Sequence, residues 1–166
     1  MSTATFTLFH VILSLVGIAA GIVVLFGMLA SKRLEGWTAL FLSTTVLTSV
    51  TGFFFHSEKF GAPHVVGVIS LFVLAIAIPA LYAYRLAGPW RWIYVAGAVV
   101  SLYLNVFVGV VQAFQKIPFV NALAPTQAEP PFAIAQGVVL LIFIALGVLA
   151  VKRFHPAIKR SAFSMA

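Results

Sequence analysis

Apolar residues run along this chain in long uninterrupted stretches divided by short polar breaks, without the strict alternation of a half-buried strand. The first stretch covers residues 6–30 and stops at Ser31, Lys32, Arg33 and Glu35. The second covers residues 37–56 and gives way to Ser57, Glu58, Lys59, Gly61 and Pro63. The third covers residues 64–86 with Pro79 inside it, the fourth residues 92–115, and the fifth residues 132–151. A proline-bearing connection over residues 116–131 joins the last two, and a basic tail occupies residues 152–166. At about 1.5 Å of rise per residue, each stretch reaches across a hydrocarbon core roughly 30 Å thick. In lipid, a segment must satisfy its own backbone groups, which selects helices. The pattern predicts an all-α integral membrane protein, a single compact bundle of five transmembrane helices.

Composition strengthens this reading. The chain is 63% hydrophobic and only 8% charged, against about 25% charged in a soluble domain. Its surface must therefore face lipid. The formal charge of +7 would suit nucleic acid, but the basic residues sit at the ends of the apolar stretches, so topology accounts for them and no nucleic-acid partner is expected. Lys32, Arg33, Arg85, Arg91, Lys152, Arg153, Lys159 and Arg160 fall on one side of the predicted bundle, and only Lys59 and Lys116 on the other. The positive-inside rule puts the first set in the cytoplasm, with the N-terminus outside and the C-terminus cytoplasmic. Trp37, Trp90 and Trp92 gather on that same side beside Tyr82, Tyr84 and Tyr94, as an interfacial belt would. Residues 1–7 carry no Lys or Arg, so the first stretch reads as a retained helix, not as a secretory signal. The expected location is a bacterial inner (plasma) membrane.

The absence of cysteine excludes disulfides, thiolate metal sites and iron–sulfur clusters. There is no Asp, and the Glu residues are Glu35, Glu58 and Glu129, a poor supply for paired-carboxylate catalysis. No phosphate loop, nucleophile elbow or His-Glu-x-x-His pattern occurs, so no reaction is assigned.

Polar residues in a membrane need a partner or a purpose. His10, Ser14, Gly17 and Gly21 share one face of the first helix, and Thr45, Thr48, Ser49, Gly52 and His56 lie near one stripe of the second. His64 opens the third helix, Ser101, Asn105 and Gln112 mark the fourth, and Gln136 stands a turn inside the fifth. The histidines and amides therefore converge on the outer end. Their functional reading is a ligand site built from His10, His56, His64, Asn105, Gln112 and Gln136. Their structural reading is helix-to-helix hydrogen bonding.

Three ligand chemistries fit such a cluster. Imidazoles ligate metals or haem iron, with His10, His56, Glu58 and His64 as the metal set. A quinone-like head group would take hydrogen bonds from a histidine and an amide between phenylalanines such as Phe53, Phe54, Phe55, Phe60, Phe114 and Phe119. A translocation path would use the hydroxyls of residues 43–51, through an oligomer. The leading expectation is a small membrane protein binding a cofactor or small ligand (metal, haem or quinone-like) at this cluster. The alternatives are a structural or accessory subunit of a membrane complex and an oligomeric transporter or pore. Its partners are the lipid bilayer and either further copies of itself or another membrane protein. The pair Gly17 and Gly21 permits close helix approach, within the bundle or between protomers. The outer connection is either a lid over the cluster, with Glu129 reaching a histidine, or a stiff connector.

Overall fold

The computed structural model describes residues 3–55 and 61–156. His56 and Glu58 lie outside the described residues. The elements are α1 (Thr3–Leu29), α2 (Glu35–Gly52), α3 (Ala62–Tyr82), α4 (Trp90–Lys116), α5 (Pro118–Asn121) and α6 (Pro130–Arg153), with no strand among the described residues. Four helices, α1, α3, α4 and α6, are long and apolar enough to cross a membrane. Outside that set are α5, a single turn, and α2, which carries seven Ser and Thr among its 18 residues.

The four long helices and α2 form an antiparallel up-and-down bundle, and the register can be followed residue by residue. Along α1, Gly52 of α2 lies beside His10, Thr44 and Thr45 beside Gly17, Phe41 beside Gly21, and Leu34 beside Gly27. The two helices thus run side by side for most of their length. Ser49 donates to Ser70 of α3 at 3.1 Å, and Gly97 of α4 meets Ala77 of α3. Between α4 and α6, Tyr103 packs on Phe143 and Phe114 on Phe132. At the centre is α4, packed against α1, α2, α3 and α6.

The hydroxyls of α2 explain how so polar a helix sits among apolar neighbours. Thr44 donates to Leu40 O, Thr45 to Phe41 O and Thr51 to Leu47 O, each at 2.7 Å. These bonds return to the preceding turn of the same helix and leave the flanks to pack. The half of the bundle holding the C-terminal end of α1 is apolar, with Ala20, Val24, Met28, Leu74, Leu81, Val95 and Ala98 buried together.

That same end collects the basic residues Lys32, Arg33, Arg85, Arg91, Lys152 and Arg153, because it holds the C-terminal ends of α1, α3 and α6 and the N-terminal ends of α2 and α4. Tyr84 stacks on Trp90 with ring centroids 3.8 Å apart, while Trp37, Trp92 and Tyr82 are exposed around it. Arg91 donates to the carbonyls of Val151 and Phe154, tying the end of α6 to the start of α4. His155 N–H donates to Ser31 Oγ at 2.9 Å, joining the end of α6 to the α1–α2 turn.

Several boundaries differ from the hydropathy reading. The third stretch was expected to run to residue 86, but α3 ends at Tyr82. Arg85 and Leu86 take positive φ, 49° and 62°, and the left-handed turn stops the helix although the apolar run continues. The second stretch ends at Gly52, not at residue 56, and Phe53 and Phe54 close the end by 3.2 and 3.1 Å turn bonds to Val50 O and Thr51 O. The outer connection, expected as plain loop, contains α5.

This connection is a connector docked on its own neighbour. Asn121 donates to Phe114 O at 2.8 Å, Gln127 donates to Val111 O at 3.1 Å, and Ala124 is fully buried. Glu129 is engaged within the loop, accepting from Thr126 Oγ1 at 2.8 Å and Thr126 N–H at 3.2 Å. The Thr126 hydroxyl, with adjacent backbone N–H groups, holds the Glu129 carboxyl below its ordinary value. A depressed carboxylate pKa contributes order above the unfolded value of 4.5 and loses it as the pH falls through the folded value. The protection factors of the Thr126 and Ala128 amides, taken against the intrinsic exchange rate at each pH, are therefore expected to fall on acidification from neutrality to below about pH 4. Glu129→Gln should show low protection factors at both pH values; equal protection of the variant and the parent at neutral pH would refute the role.

Candidate functional site

Near the end of the bundle opposite the basic residues, α1, α2, α3 and α4 enclose a cavity of about 90 Å³. His10 and Ser14 reach it from α1, Thr48 and Ser49 from α2, His64 and Ser70 from α3, and Asn105 from α4. Gly52 and Gly67 border it, and the Phe53 ring takes the space that a side chain at Gly67 would fill.

The hydrogen bonds assign roles to the two rings. His10 Nδ1 lies 2.8 Å from Thr51 Oγ1. The single hydroxyl proton of Thr51 is already directed at Leu47 O, so the threonine oxygen accepts and His10 Nδ1 donates. In the neutral ring, Nε2 of His10 then keeps a bare lone pair, with no hydrogen-bond partner among the described residues. Phe55 holds the ring edge-on at 4.9 Å and itself packs on Phe6 at 5.1 Å. His64 Nδ1 instead accepts from Gly61 N–H at 3.3 Å, which places its neutral-ring proton on Nε2. Phe53 lies beside it, centroids 5.9 Å apart. The two neutral rings are therefore in opposite tautomers, His10 protonated on Nδ1 and His64 on Nε2.

Asn105 is 7% exposed and donates from Nδ2 to Thr45 Oγ1 at 3.2 Å. Thr48, 9% exposed, lines the cavity with a buried hydroxyl that has no partner among the described residues. A buried polar group of this kind carries a desolvation cost of about 1–3 kcal/mol, recovered when it finds a partner.

Of the residues expected at the site, the structure brings His10, His64 and Asn105 together. Gln112 is exposed and does not line the cavity. Seven residues beyond Asn105 a straight helix has drifted about 20° off the stripe, and a matching seven residues from Thr45 reach Gly52, where α2 ends. Gln136 also stands apart: it donates to Phe107 O at 3.2 Å and links α6 to α4. His56 and Glu58 lie outside the described residues, and among the described residues no three His, Cys, Asp or Glu side chains gather as a metal site would require. Ser70 was not anticipated; the three-residue spacing of His64, Gly67 and Ser70 along one face of α3 was its signal.

Comparison of the chain with protein-family models, with curated proteins and with solved structures gives no match.

Proposed function

We propose that this chain is a five-pass membrane protein that binds a small polar ligand in the cavity between His10 and His64. The observation carrying the proposal is the convergence of the His10 acceptor, the His64 ring, the Asn105 amide and an unpaired Thr48 hydroxyl, from four helices, on one cavity of about 90 Å³. Sites for drug-sized ligands run from about 300 Å³ upward. The smaller volume favours an occupant of a few heavy atoms over a haem or a complete quinone ring.

Counting α2 as the fifth pass rests on its register along α1: its 18 residues rise about 27 Å, close to the hydrocarbon thickness. The cluster of basic residues at one end supports a cytoplasmic C-terminus and an outward N-terminus. Helical spans suit an inner (plasma) membrane, such as that of a bacterium, more than an outer membrane populated by barrels. The cavity then opens towards the outer leaflet.

The test uses purified protein in mild detergent, compared by native mass spectrometry, elemental analysis and thermal unfolding with His10→Ala and His64→Ala. The parent is expected to retain a small species in stoichiometric amount, and each variant to lose it while Tm moves by only a few degrees. A parent without any bound species, with variants that unfold markedly earlier, would overturn the proposal.

That second outcome would favour the accessory-subunit reading, which has its own support. Asn105 to Thr45, Ser49 to Ser70 and Gln136 to Phe107 O are all bonds between helices, the kind that fasten membrane bundles at about 0.6 kcal/mol each. The pore reading has less support, since Thr44, Thr45 and Thr51 direct their hydroxyl protons at their own helix.

A further inference from the structure

A second concavity lies on the outside of the bundle, between α4 and α6. Its volume is about 430 Å³, within the range of ligand sites. Val99, Tyr103, Phe143, Gly147 and Val151 form apolar walls, and Lys152 stands at one mouth. Gly147 deepens the groove, since a Cβ there would come within 3.2 Å of Val99 Cγ1. Tyr103 packed on Phe143, centroids 5.8 Å apart, walls it further from the mouth. From Lys152 back to Leu140, also in the lining, the helix rises about 18 Å. One leaflet of hydrocarbon is about 15 Å deep, so the groove is one acyl chain long.

Lys152 is exposed and makes no ion pair or hydrogen bond among the described residues. Arg91, nearby, is committed to the carbonyls of Val151 and Phe154. Of the two described carboxylates, Glu35 pairs with Arg33 and Glu129 sits at the opposite end of α6. The mouth is therefore cationic and unneutralised. A second copy docking about a two-fold axis normal to the membrane would bring its own basic end against Lys152, an unfavourable pairing.

We propose that the α4–α6 groove holds one acyl chain of an anionic phospholipid, with the phosphate on Lys152. This rests on the membrane reading above, and the leaflet follows from the orientation. The groove itself can be tested without either.

The full chain in detergent is titrated with dioleoyl phosphatidylglycerol or dioleoyl phosphatidylcholine, and bound lipid is counted by native mass spectrometry. The first phosphatidylglycerol is expected to bind at least fivefold more tightly than phosphatidylcholine, since one lysine near an anionic headgroup corresponds to about a fivefold change. Lys152→Gln should erase that preference, and Val100→Trp, which fills the groove from its open side, should remove the first bound lipid of either kind. Arg153→Gln, on the same basic end but outside the lining, should change neither. Equal binding of the two lipids by the parent would overturn the site. So would equal losses in Lys152→Gln and Arg153→Gln, or an unchanged first lipid in Val100→Trp. An inverted orientation would appear separately, as labelling of Lys152 by an impermeant amine reagent from outside intact cells, with lipid counts unaffected.

Discussion

Gly21→Ile should destabilise the bundle by about 1–3 kcal/mol, the usual cost of forcing extra methyl groups into a packed interior. Gly21 sits where α1, α2 and α4 meet. A bare Cβ added there would stand 2.6 Å from Leu102 Cδ1 and 2.8 Å from the Phe41 ring. Both neighbours are themselves nearly inaccessible, so neither can swing into free space. Gly17, one turn earlier, is almost as confined, with Thr44 Oγ1 at 3.2 Å. The Gly17 and Gly21 pair thus acts inside the bundle, drawing α2 and α4 onto α1. The readout is thermal or denaturant unfolding in detergent, with Gly137→Ala as the reference. Nothing lies within 4 Å of a Cβ at Gly137, and replacing a mid-helix glycine there should be neutral or stabilising by up to about 1 kcal/mol. Equal behaviour of the two variants would refute the three-helix junction.

Arg91→Ala should cost about 2 kcal/mol, in the range for hydrogen bonds from a charged donor, and should loosen the end of α6 selectively. The guanidinium serves the carbonyls of Val151 and Phe154, which a helix C-terminus leaves without partners of its own, and its charge complements the negative end of the helix dipole. Phe154 is 2% exposed and packs on Tyr94 at 6.2 Å, so the same clamp seats an aromatic plug. No other long helix depends on it as much: of the four most apolar helices α6 has the least of its surface covered by the rest of the chain. Hydrogen exchange should rise at Ala150, Val151 and Phe154 while α1 and α2 keep their protection. Both bonds leave one nitrogen, Nη1, so a lysine ammonium has donors enough for the two carbonyls, and Arg91→Lys should recover as much of the loss as its shorter side chain can reach. Unchanged exchange over the last turn of α6 in Arg91→Ala would show that packing alone holds the helix.

Particular residues show how far the sequence could be read. The clustering of histidines and amides towards one end was visible from spacing, and His10, His64 and Asn105 do meet at one cavity. Gln112 and Gln136 looked equivalent to them in depth, yet one is exposed and the other bonds a backbone carbonyl. Depth along a helix follows from counting residues, whereas azimuth against a neighbour follows from how the helices cross. Ser70 shares the three-residue spacing of His64 and Gly67, and Thr48 lies on the polar stripe of α2, but that both line one cavity and that the Thr48 hydroxyl is unpaired depend on how α2 and α3 pack. The groove between α4 and α6 could not be read at all, since Val99, Phe143 and Gly147 are ordinary residues in apolar runs.

By itself the sequence determined the helical character, the presence of helices apolar enough to cross a membrane and the gathering of basic residues at one end. Each follows from properties that sum along a segment: transfer free energy, backbone satisfaction and charge. Only the tertiary structure decided which helix faces meet, that Gly17 and Gly21 serve contacts within the chain, and that α2 directs four of its hydroxyls at its own carbonyls while two others face a cavity. Those outcomes depend on shape and register between helices distant in the chain. Hydrophobicity is non-directional and cannot encode them.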